Sequence, residues 1–591
     1  MAYIIISLVL AIIFAAIVFN PKGVAPGNLA GPLVGGIVMF LFWGIINYFA
    51  LPVLALWNYG LWFELLVTTF IATVIYVAYQ DDGYWRFWIP GGVLILMVVI
   101  AIGSSAAFHS RAYNERLAVE EVTTNDFSSD INERLAVEEV AIRNFSRDIN
   151  VIPVEKMVVA NSKIARKVVE DRLEEDPGLG SRCLVGNMTM QQITGKFVID
   201  GGKTLDFNED IVWVAPLEHR SFWKWISNKT TPGYMLVYAN DPTRTHLITE
   251  INGQKLALRY IKSGCFSDDV ERRIRRNGYA KQGLTEFNFE IDSDGRPHWV
   301  LCNFKPTIGF GALDTKGCVV LDAQTGEVNS YTITDAPSWI DHIQPAEFVT
   351  RQIKWWGEYR HGWWNSWIAQ RDVQEPTPGM VLVYSEGQTY WYTGIRSAGG
   401  DSATSGFMLI NARTKEARYY RVSGVNEQEA ERIAEEQGFA KAAEYDATSP
   451  VLYNVHGMPT YFMTLTGYSG NVMGYAFVAV TNRQAVGVGS SKKEAESNYL
   501  QALKRTSSDT IVDGAVTAIE SKTYTVKNIT FENGTYYILF NEVKGKEFSG
   551  STEFFRELKW TRSGNHVSVT YSEGISDLII IDTFDNLDFE F

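Results

Sequence analysis

The stretch that decides the fold is LWFELLVTTFIATVIYVAY, residues 61–79, which carries a single charged side chain, Glu64. A helix of this length can cross the apolar core of a bilayer, which is roughly 30 Å thick. Three further stretches have the same character, at residues 3–19, about 31–56 and 87–108. Together they predict an α-helical transmembrane bundle of four spans over residues 1–109. A cleaved signal peptide would explain the first stretch alone.

The positive-inside rule does not decide the orientation of this bundle. With four spans both chain ends lie on one side. Lys22 and Arg86 fall in loops on one face, whereas Arg111 and Arg116 follow the last span on the other. We expect Glu64, near the start of its span, to lie close to the headgroups. The chain is expected in a bacterial plasma membrane, with a lean towards an extracytoplasmic position for its soluble part.

The composition excludes several kinds of partner and site. The chain has 591 residues and a net charge of −14, without a block of Lys and Arg, so we expect no nucleic-acid partner. Its four cysteines form no CxxC pair and have no histidine at ligand spacing, which predicts buried thiols rather than a metal site. Phosphate-loop, nucleophile and metalloprotease motifs are also missing. We therefore expect no cofactor, no metal and no assignable catalytic residue.

A tandem duplication follows the spans. NERLAVEEVTTNDFSSDI (114–131) is repeated as NERLAVEEVAIRNFSRDI (132–149), with a period of 18 residues. This period equals about five helical turns, so helical copies would present the same face. We interpret residues 110–150 as a helical stalk or a helical hairpin that lifts the soluble domains off the bilayer.

A deeper repeat covers most of the soluble part. TPGYMLVYA (231–239) returns as TPGMVLVYS (377–385), and VERRIRRNGYAK (270–281) returns as AERIAEEQGFAK (430–441). Each unit is predicted to place a helix on an antiparallel sheet whose strands turn at Asp294-Gly295 or at His456-Gly457. We expect a small α+β unit at 151–206, α+β repeats at 207–345 and 346–508, and a small β-barrel of OB or SH3-like kind at 509–591, with Asn533-Gly534 as a tight turn.

The helix-and-sheet units resemble PepSY-type modules, which are cystatin-like, non-catalytic binding units of bacterial envelopes. The hairpin CVVLDAQTGEV (318–328) carries this resemblance, and FMLINARTKEA (407–417) is a looser version of it. The resemblance implies binding rather than catalysis.

A longer resemblance covers roughly 150–505. VAPLEHRSFWKWISNKTTPGY, IDSDGRPHW, KGCVVLDAQTGEV and QPAEFVTRQIKWWGEYRHGWWNS occur in this order after a multi-span N-terminus. This arrangement is similar to a family of uncharacterised multi-pass membrane proteins of Gram-positive bacteria and their large phages, some of which are labelled cell-shape-determining. The resemblance implies membership of the cell envelope and no particular activity. The 18-residue duplication departs from that family.

The candidate binding residues come from one aromatic cluster in WWGEYRHGWW (355–364) and the tryptophan that follows it. They are Trp355, Trp356, Trp363, Trp364 and Trp367. If one helix ran from about Pro345 to Ala369, three of these indoles would share a face. Packing between sheet and helix is our first interpretation, and docking on a membrane surface or stacking on a glycan or peptide are the alternatives. The first repeat has a lesser version, FWKWI (222–226).

The sequence thus favours a membrane-anchored, non-enzymatic scaffold or binding protein whose partners are the bilayer and a protein or cell-wall component. A homo-oligomer is compatible with it. The alternative is an envelope hydrolase or transferase with Glu218, Glu358 and Asp372 beside the tryptophans. Transport through Glu64 is a third hypothesis.

Overall fold

The computed structural model describes residues 2–19, 30–80, 84–122, 131–385, 387–399, 403–468, 470–506, 522–532, 535–551, 555–571 and 578–589. Within these residues, three helical stretches are long and apolar enough to cross a membrane: Gly31–Ala50, Tyr59–Ala78 and Tyr84–Gly103. The first apolar stretch forms a helix of 17 residues, which is shorter. The helices are α1 (Ala2–Val18), α2 (Ala30–Ala50), α3 (Tyr59–Gln80) and α4 (Trp88–Gly103).

Helix α1 packs along α2 and α3, where Phe14 and Trp43 belong to a shared apolar core. Its two ends are held at opposite ends of the bundle. The Tyr3 hydroxyl donates to the carbonyl of Pro52 in the α2–α3 loop. The Arg86 guanidinium, between α3 and α4, donates to the carbonyl of Ile17. The helices therefore alternate in direction along the chain.

The carboxylate of Glu64 is buried between the helices of this bundle. The Asn47 amide is 3.5 Å from Glu64 Oε2 and 3.3 Å from Ser7 Oγ. Nearby, Trp43 Nε1 donates to Thr68 Oγ1 at 2.7 Å. A polar side chain in an apolar medium is less costly where it meets hydrogen-bonding neighbours than where it meets lipid. The expected position of Glu64 near the headgroups stays a prediction.

The sheet-rich part sits directly on the ends of the apolar N-terminal helices. The amide of Leu54, in the α2–α3 loop, donates to the carbonyl of Ala280 at 2.9 Å. Phe310, at the tip of a β-hairpin, packs on Tyr59 with ring centroids 4.3 Å apart, and its amide donates to Ser104 Oγ at 3.0 Å. After α4 the chain continues into α5 (Ala106–Asn114). These contacts leave no room for a stalk.

The duplicated segment does not fold as two equal helices. In the first copy, Val119–Val122 forms strand β1, which pairs in parallel with Ala417–Tyr420. The second copy forms helix α6 (Ile131–Asp148), and its Phe145 is fully buried in the core of the second repeat. The same letters, LAVEEV, are therefore extended in one copy and helical in the other. The predicted stalk at 110–150 is wrong because both copies are built into the second repeat.

The first soluble sheet spans the boundary that we expected at residue 206. Strand β4 runs through this position, and hairpin pairing with β3 joins the expected small unit to the first repeat in one seven-stranded sheet. The elements of this part are α7 (Ser162–Glu174), α8 (Pro177–Gly180), β2 (Cys183–Val185), β3 (Thr189–Ile199), β4 (Lys203–His219), α9 (Phe222–Ser227), β5 (Tyr234–Tyr238), β6 (Thr245–Ile248), β7 (Glu250–Ile251) and β8 (Gln254–Lys255).

The first repeat continues with a helix and a four-stranded antiparallel sheet of order β12-β11-β10-β9. Its elements are α10 (Val270–Arg276), β9 (Gly283–Ile291), β10 (Pro297–Ile308), β11 (Gly311–Asp322) and β12 (Val328–Thr332). Val270 and Ile274 are fully buried, and Gly278, which follows the helix, has φ 105°. The helix cap is Asp269, whose carboxylate accepts from the Arg272 amide at 2.8 Å.

The second repeat has the same order of elements. Its elements are α11 (Ala346–Glu358), β13 (Gln374–Pro376), β14 (Val381–Ser385), β15 (Gln388–Ser397), β16 (Ala403–Thr404), β17 (Gly406–Asn411), β18 (Ala417–Tyr420), β19 (Gly424–Val425), α12 (Glu427–Glu435), α13 (Gly438–Ala442), β20 (Asp446–Val455), β21 (Met458–Thr466), β22 (Val472–Ala479), β23 (Val486–Gly489) and α14 (Lys492–Thr506). The β20–β21 turn at His456-Gly457 confirms the sequence prediction, since both residues have positive φ.

The last strands pair in the closed order β24-β25-β26-β28-β27 around their own apolar core. They are β24 (Lys522–Glu532), β25 (Thr535–Phe540), β26 (Glu547–Ser551), β27 (His566–Tyr571) and β28 (Leu578–Asn586). The predicted Asn533-Gly534 turn lies outside the described residues.

Candidate functional site

The aromatic cluster divides into a buried part and an exposed part. Trp356 is buried against Tyr419, with ring centroids 5.5 Å apart, and the Arg360 guanidinium lies 5.0 Å above its ring. Trp355 is partly buried and packs edge-on against Tyr113 of α5 at 4.7 Å. Core packing therefore accounts for the first two tryptophans of the cluster.

The remaining indoles lie beyond a break in the helix. Helix α11 ends at Glu358, and Gly362 has φ 83°, so the single helix expected from Pro345 to Ala369 is wrong. A π-helical turn, Asn365–Ala369, follows. Trp364 and Trp367 are 66% and 69% exposed.

Around this turn the rings contact one another instead of a core. Trp363 stacks on Trp367 with centroids 5.9 Å apart and meets Trp364 edge-on at 4.8 Å. Ile368 is exposed beside them. The turn thus presents an apolar surface without cover among the described residues.

The first repeat has a matching surface. In α9, Trp225 is buried while Trp223 is 74% exposed, and Phe222 and Ile226 are exposed beside it. Phe266, which the sequence did not single out, is exposed and lies 5.7 Å from the Trp225 ring. The sequence gives little indication that Phe266 belongs to this surface, because it lies some forty residues away from FWKWI.

The three acids of the enzyme hypothesis are not brought together in the described part of the chain. Glu358 pairs with Lys354 at 3.7 Å, and Asp372 lies 3.2 Å from His361 Nε2. Glu218 is buried on β4 in the other repeat, where burial raises its pKa.

His219, next to Glu218, has a different environment. Burial lowers the pKa of this histidine, and the charged groups near it are Lys229 and Asp268 rather than Glu218. Adjacent residues of a strand point to opposite faces, so these two side chains do not form an acid–base pair. No group of three or more His, Cys, Asp or Glu side chains with metal-binding geometry occurs within the described ranges.

A polar cleft lies where the two repeats and the connector after α6 meet. It encloses about 400 Å³, and Lys156, Gln192, Asp210, Asn240 and Tyr384 are among the residues that line it. The exposed Lys156 and the partly exposed Gln192 and Asp210 make this lining suited to a polar ligand. The Tyr384 hydroxyl and the Asn240 amide oxygen have no hydrogen-bond partner among the described residues, but both atoms are buried from solvent behind the cleft surface.

A buried group of acids lies behind this cleft, in the connector between the repeats. Asp341 Oδ2 accepts from the Gln192 amide, and Glu290 Oε1 lies 3.6 Å from His342 Nδ1. The pKa of Asp341 is raised to about 7, mainly by burial and also by the charge of Glu290, against the opposing effect of His342. Burial also raises the pKa of Glu286, on the same strand as Glu290. The sequence did not single out these residues, because they are distant in the chain.

No protein-family model and no curated protein matches the chain.

Proposed function

We propose that the protein is a membrane-anchored, non-enzymatic scaffold or binding protein of the bacterial, or phage-infected, cell envelope. Its sheet-rich repeats hold a segment of a protein or cell-wall partner in the cleft between them. The observation that carries this proposal is the cleft itself, whose polar lining comes from both repeats and from the connector, and includes Lys156, Gln192 and Asp210. A bound segment would form hydrogen bonds with these side chains.

The position of the cleft supports a scaffold role. Its walls come from the seven-stranded sheet, from β14 of the second repeat, and from the connector 150–153. A bound segment would therefore touch both repeats at once and hold them in one arrangement. Extended segments bind well in such places because they can pair with strand edges and with extended backbone.

Several finer assignments belong to the same proposal. Helix α1 would be a fourth span, since its ends lie at opposite ends of the bundle. The repeats would be PepSY-like, the closed C-terminal strands an OB or SH3-like barrel, and the soluble part extracytoplasmic. A member of the multi-pass envelope family described above would fit this arrangement.

The proposal is tested with the full-length protein in lipid nanodiscs and purified peptidoglycan sacculi. The wall-bound fraction is measured after sedimentation, together with any muropeptides released into solution. Binding without release, weakened by Lys156→Met, is the expected result for a cell-wall partner. Methionine keeps most of the aliphatic chain and removes the charge, and Lys156 is exposed, so the fold should be retained.

A protein partner is tested by replacing Gln192 with a photo-crosslinking amino acid in living cells. A discrete adduct from this position, lost in the Lys156→Met background, is expected. The same residue placed at Tyr468, a fully exposed loop position, is the control. If position 192 gives no adduct and wall binding does not depend on Lys156, the cleft is not the binding site.

A second candidate function has one observation in its favour. His361 and Asp372 lie 3.2 Å apart, exposed, beside the stacked Trp363 and Trp367. Such a pair next to an aromatic surface could serve an envelope hydrolase or transferase. Release of soluble wall fragments in the sacculus assay, abolished by Asp372→Asn, would favour this function over a scaffold.

A further inference from the structure

We propose that two exposed aromatic surfaces of the soluble repeats insert into the interfacial zone of the same bilayer that the N-terminal helices cross. Surface A consists of Phe222, Trp223, Ile226 and Phe266 in the first repeat. Surface B consists of Trp364, Trp367 and Ile368 in the second. The inference concerns how the repeats sit on the membrane and does not depend on the ligand of the cleft.

Surface B lies beside the end of α4. The Tyr113 hydroxyl donates to the carbonyl of Ser104, the residue that ends α4, at 2.6 Å. The rings of Trp355 and Tyr359 pack on Tyr113, at 4.7 and 6.4 Å.

The chain between this contact and surface B is short. The Gly362 amide donates back to the Tyr359 carbonyl at 3.0 Å, and Trp363 comes next. The exposed indoles of surface B therefore start within one tight turn of a residue that contacts the membrane-helix junction.

Surface A lies beside the end of α2. Phe266 begins a short 3-10 turn that leads into α10. In the first turns of α10, Arg272 Nη1 donates to the carbonyl of Tyr48 at 2.7 Å, and its guanidinium lies 4.0 Å from the centre of the Tyr48 ring. Tyr48 is two residues from the end of α2. Surface A is thus tied to the same end of the bundle as surface B.

The chemistry of both surfaces fits a bilayer interface. Trp side chains concentrate at this depth because the ring is apolar and its N–H can still reach water or headgroups. Isolated exposed apolar side chains are ordinary, but contiguous groups of them mark interaction sites. Ile226 and Ile368 have no planar face for stacking on a sugar, so these groups suit lipid better than a glycan.

The charges around surface A favour anionic lipid. Arg220, Lys224 and Lys229 are exposed around it, and the Lys229 ammonium lies 3.1 Å from the centre of the Trp225 ring. Basic side chains next to a membrane are attracted to an anionic surface. Aromatic insertion with a basic rim is the usual pattern of interfacial anchors.

The two surfaces also occupy corresponding places in the repeats. Each lies shortly before a Thr-Pro-Gly turn, at 231–233 and 377–379, which leads into β5 and β14. Both repeats would therefore rest on the bilayer through the same element. This arrangement fixes the height and tilt of the repeats although the structure has no stalk.

The test uses the full-length protein in nanodiscs of mixed zwitterionic and anionic phospholipid. Cys265, which is partly exposed, is changed to Ser so that the remaining native thiols are buried. A single cysteine is then placed at 223 or at 367 (Trp223→Cys, Trp367→Cys) and labelled with the fluorophore NBD. Tyr468→Cys, at an exposed loop of the second repeat, is the matched control.

Interfacial elements bury their apolar face by about 5–10 Å, which is the depth of a nitroxide on 5-doxyl phosphatidylcholine. We therefore expect blue-shifted emission and about a twofold loss of intensity with doxyl lipid at 223 and 367. Aqueous iodide should quench the control probe at 468 and leave the other two largely unaffected. Lowering the anionic lipid content should weaken the effect at 223 more than at 367.

Probes at 223 and 367 that behave like the probe at 468 would overturn the proposal. Protection of position 367 by soluble glycan fragments, with no effect of doxyl lipid, would overturn it in favour of a glycan-binding surface. Trp364→Cys gives a second reading of surface B if Trp367→Cys does not fold. Its failure to respond to doxyl lipid would also count against the proposal.

Discussion

Replacing Asp341 with Asn should stabilise the protein strongly above neutral pH and much less at pH 5. Asp341 lies in the buried connector between the repeats, close to Glu290 and His342. Burial raises its pKa from 3.8 to about 7. Asparagine has nearly the same shape, and its amide oxygen can still accept from the Gln192 backbone amide.

The direction of the pH effect on stability depends on whether the folded or the unfolded state holds the proton of Asp341. Between pH 4 and 7 the folded protein keeps a proton on Asp341 that the unfolded chain has released, so stability falls as pH rises through this range. At 1.36 kcal/mol per pKa unit, the rise from 3.8 to about 7 corresponds to a cost of about 4 kcal/mol above pH 7, which is an upper bound because neighbouring groups titrate together. Asp341→Asn removes this cost and should gain up to that amount at pH 8.

The assay is thermal unfolding of the detergent-solubilised protein, followed by tryptophan fluorescence at pH 5 and pH 8. At 2–4 °C per kcal/mol for a domain of about 200 residues, the midpoint of Asp341→Asn should rise by several degrees at pH 8. Asp294→Asn, which removes an exposed carboxylate from a β-turn, controls for net charge. Equal effects of Asp341→Asn at both pH values, or a loss of stability at pH 8, would refute the reasoning.

Three other predictions follow from buried side chains. Cys302 and Cys318 face each other across β10 and β11, at a spacing that suits a disulfide, so they should be oxidised if the soluble part is extracytoplasmic. Thiol alkylation before and after reduction measures the oxidised fraction of these two cysteines, and fully reduced thiols would contradict the extracytoplasmic placement. Phe145→Ala should lower the free energy of unfolding by about 3–5 kcal/mol. Arg143→Ala, a change at an exposed residue of the same helix, should alter it by less than about 0.5 kcal/mol. Similar losses in the two variants would place α6 outside the core. Burial lowers the pKa of Lys492 to about 8, so with rising pH the folded protein loses this proton before the unfolded chain does. The Lys492 contribution to the free energy of unfolding should therefore rise between pH 8 and 10, and Lys492→Met should lack this rise.

The architecture was largely readable from local patterns. Uncharged apolar stretches predicted the long membrane helices, because the length of such a stretch is set by the bilayer and needs no tertiary information. The turn at His456-Gly457 was predicted from its residue types, since positive φ is a local property. The order of elements in the two repeats followed from matching sequence segments.

The candidate site was readable in part. The sequence marked the aromatic cluster and FWKWI, but it could not say which indoles are covered. Trp356 is buried because Tyr419, distant in the chain, packs against it, whereas Trp367 follows the break at Gly362 and meets solvent. The cleft is formed by residues from both repeats, and the acids behind it lie about fifty residues apart in the chain, so no local pattern reveals them.

The duplicated segment shows where local information ends. LAVEEV is a strand in the first copy, where Val119–Val122 pairs with β18, and a helix in the second. Its helical and extended states differ little in intrinsic free energy, because propensities amount to a few tenths of a kcal/mol per residue. The sequence alone determined the membrane helices, the turns and the repeats, whose free energies arise locally or from the bilayer. Tertiary structure decided the state of the duplicated segment, the exposure of the tryptophans and the assembly of the cleft, because long-range pairing and burial outweigh such small local preferences.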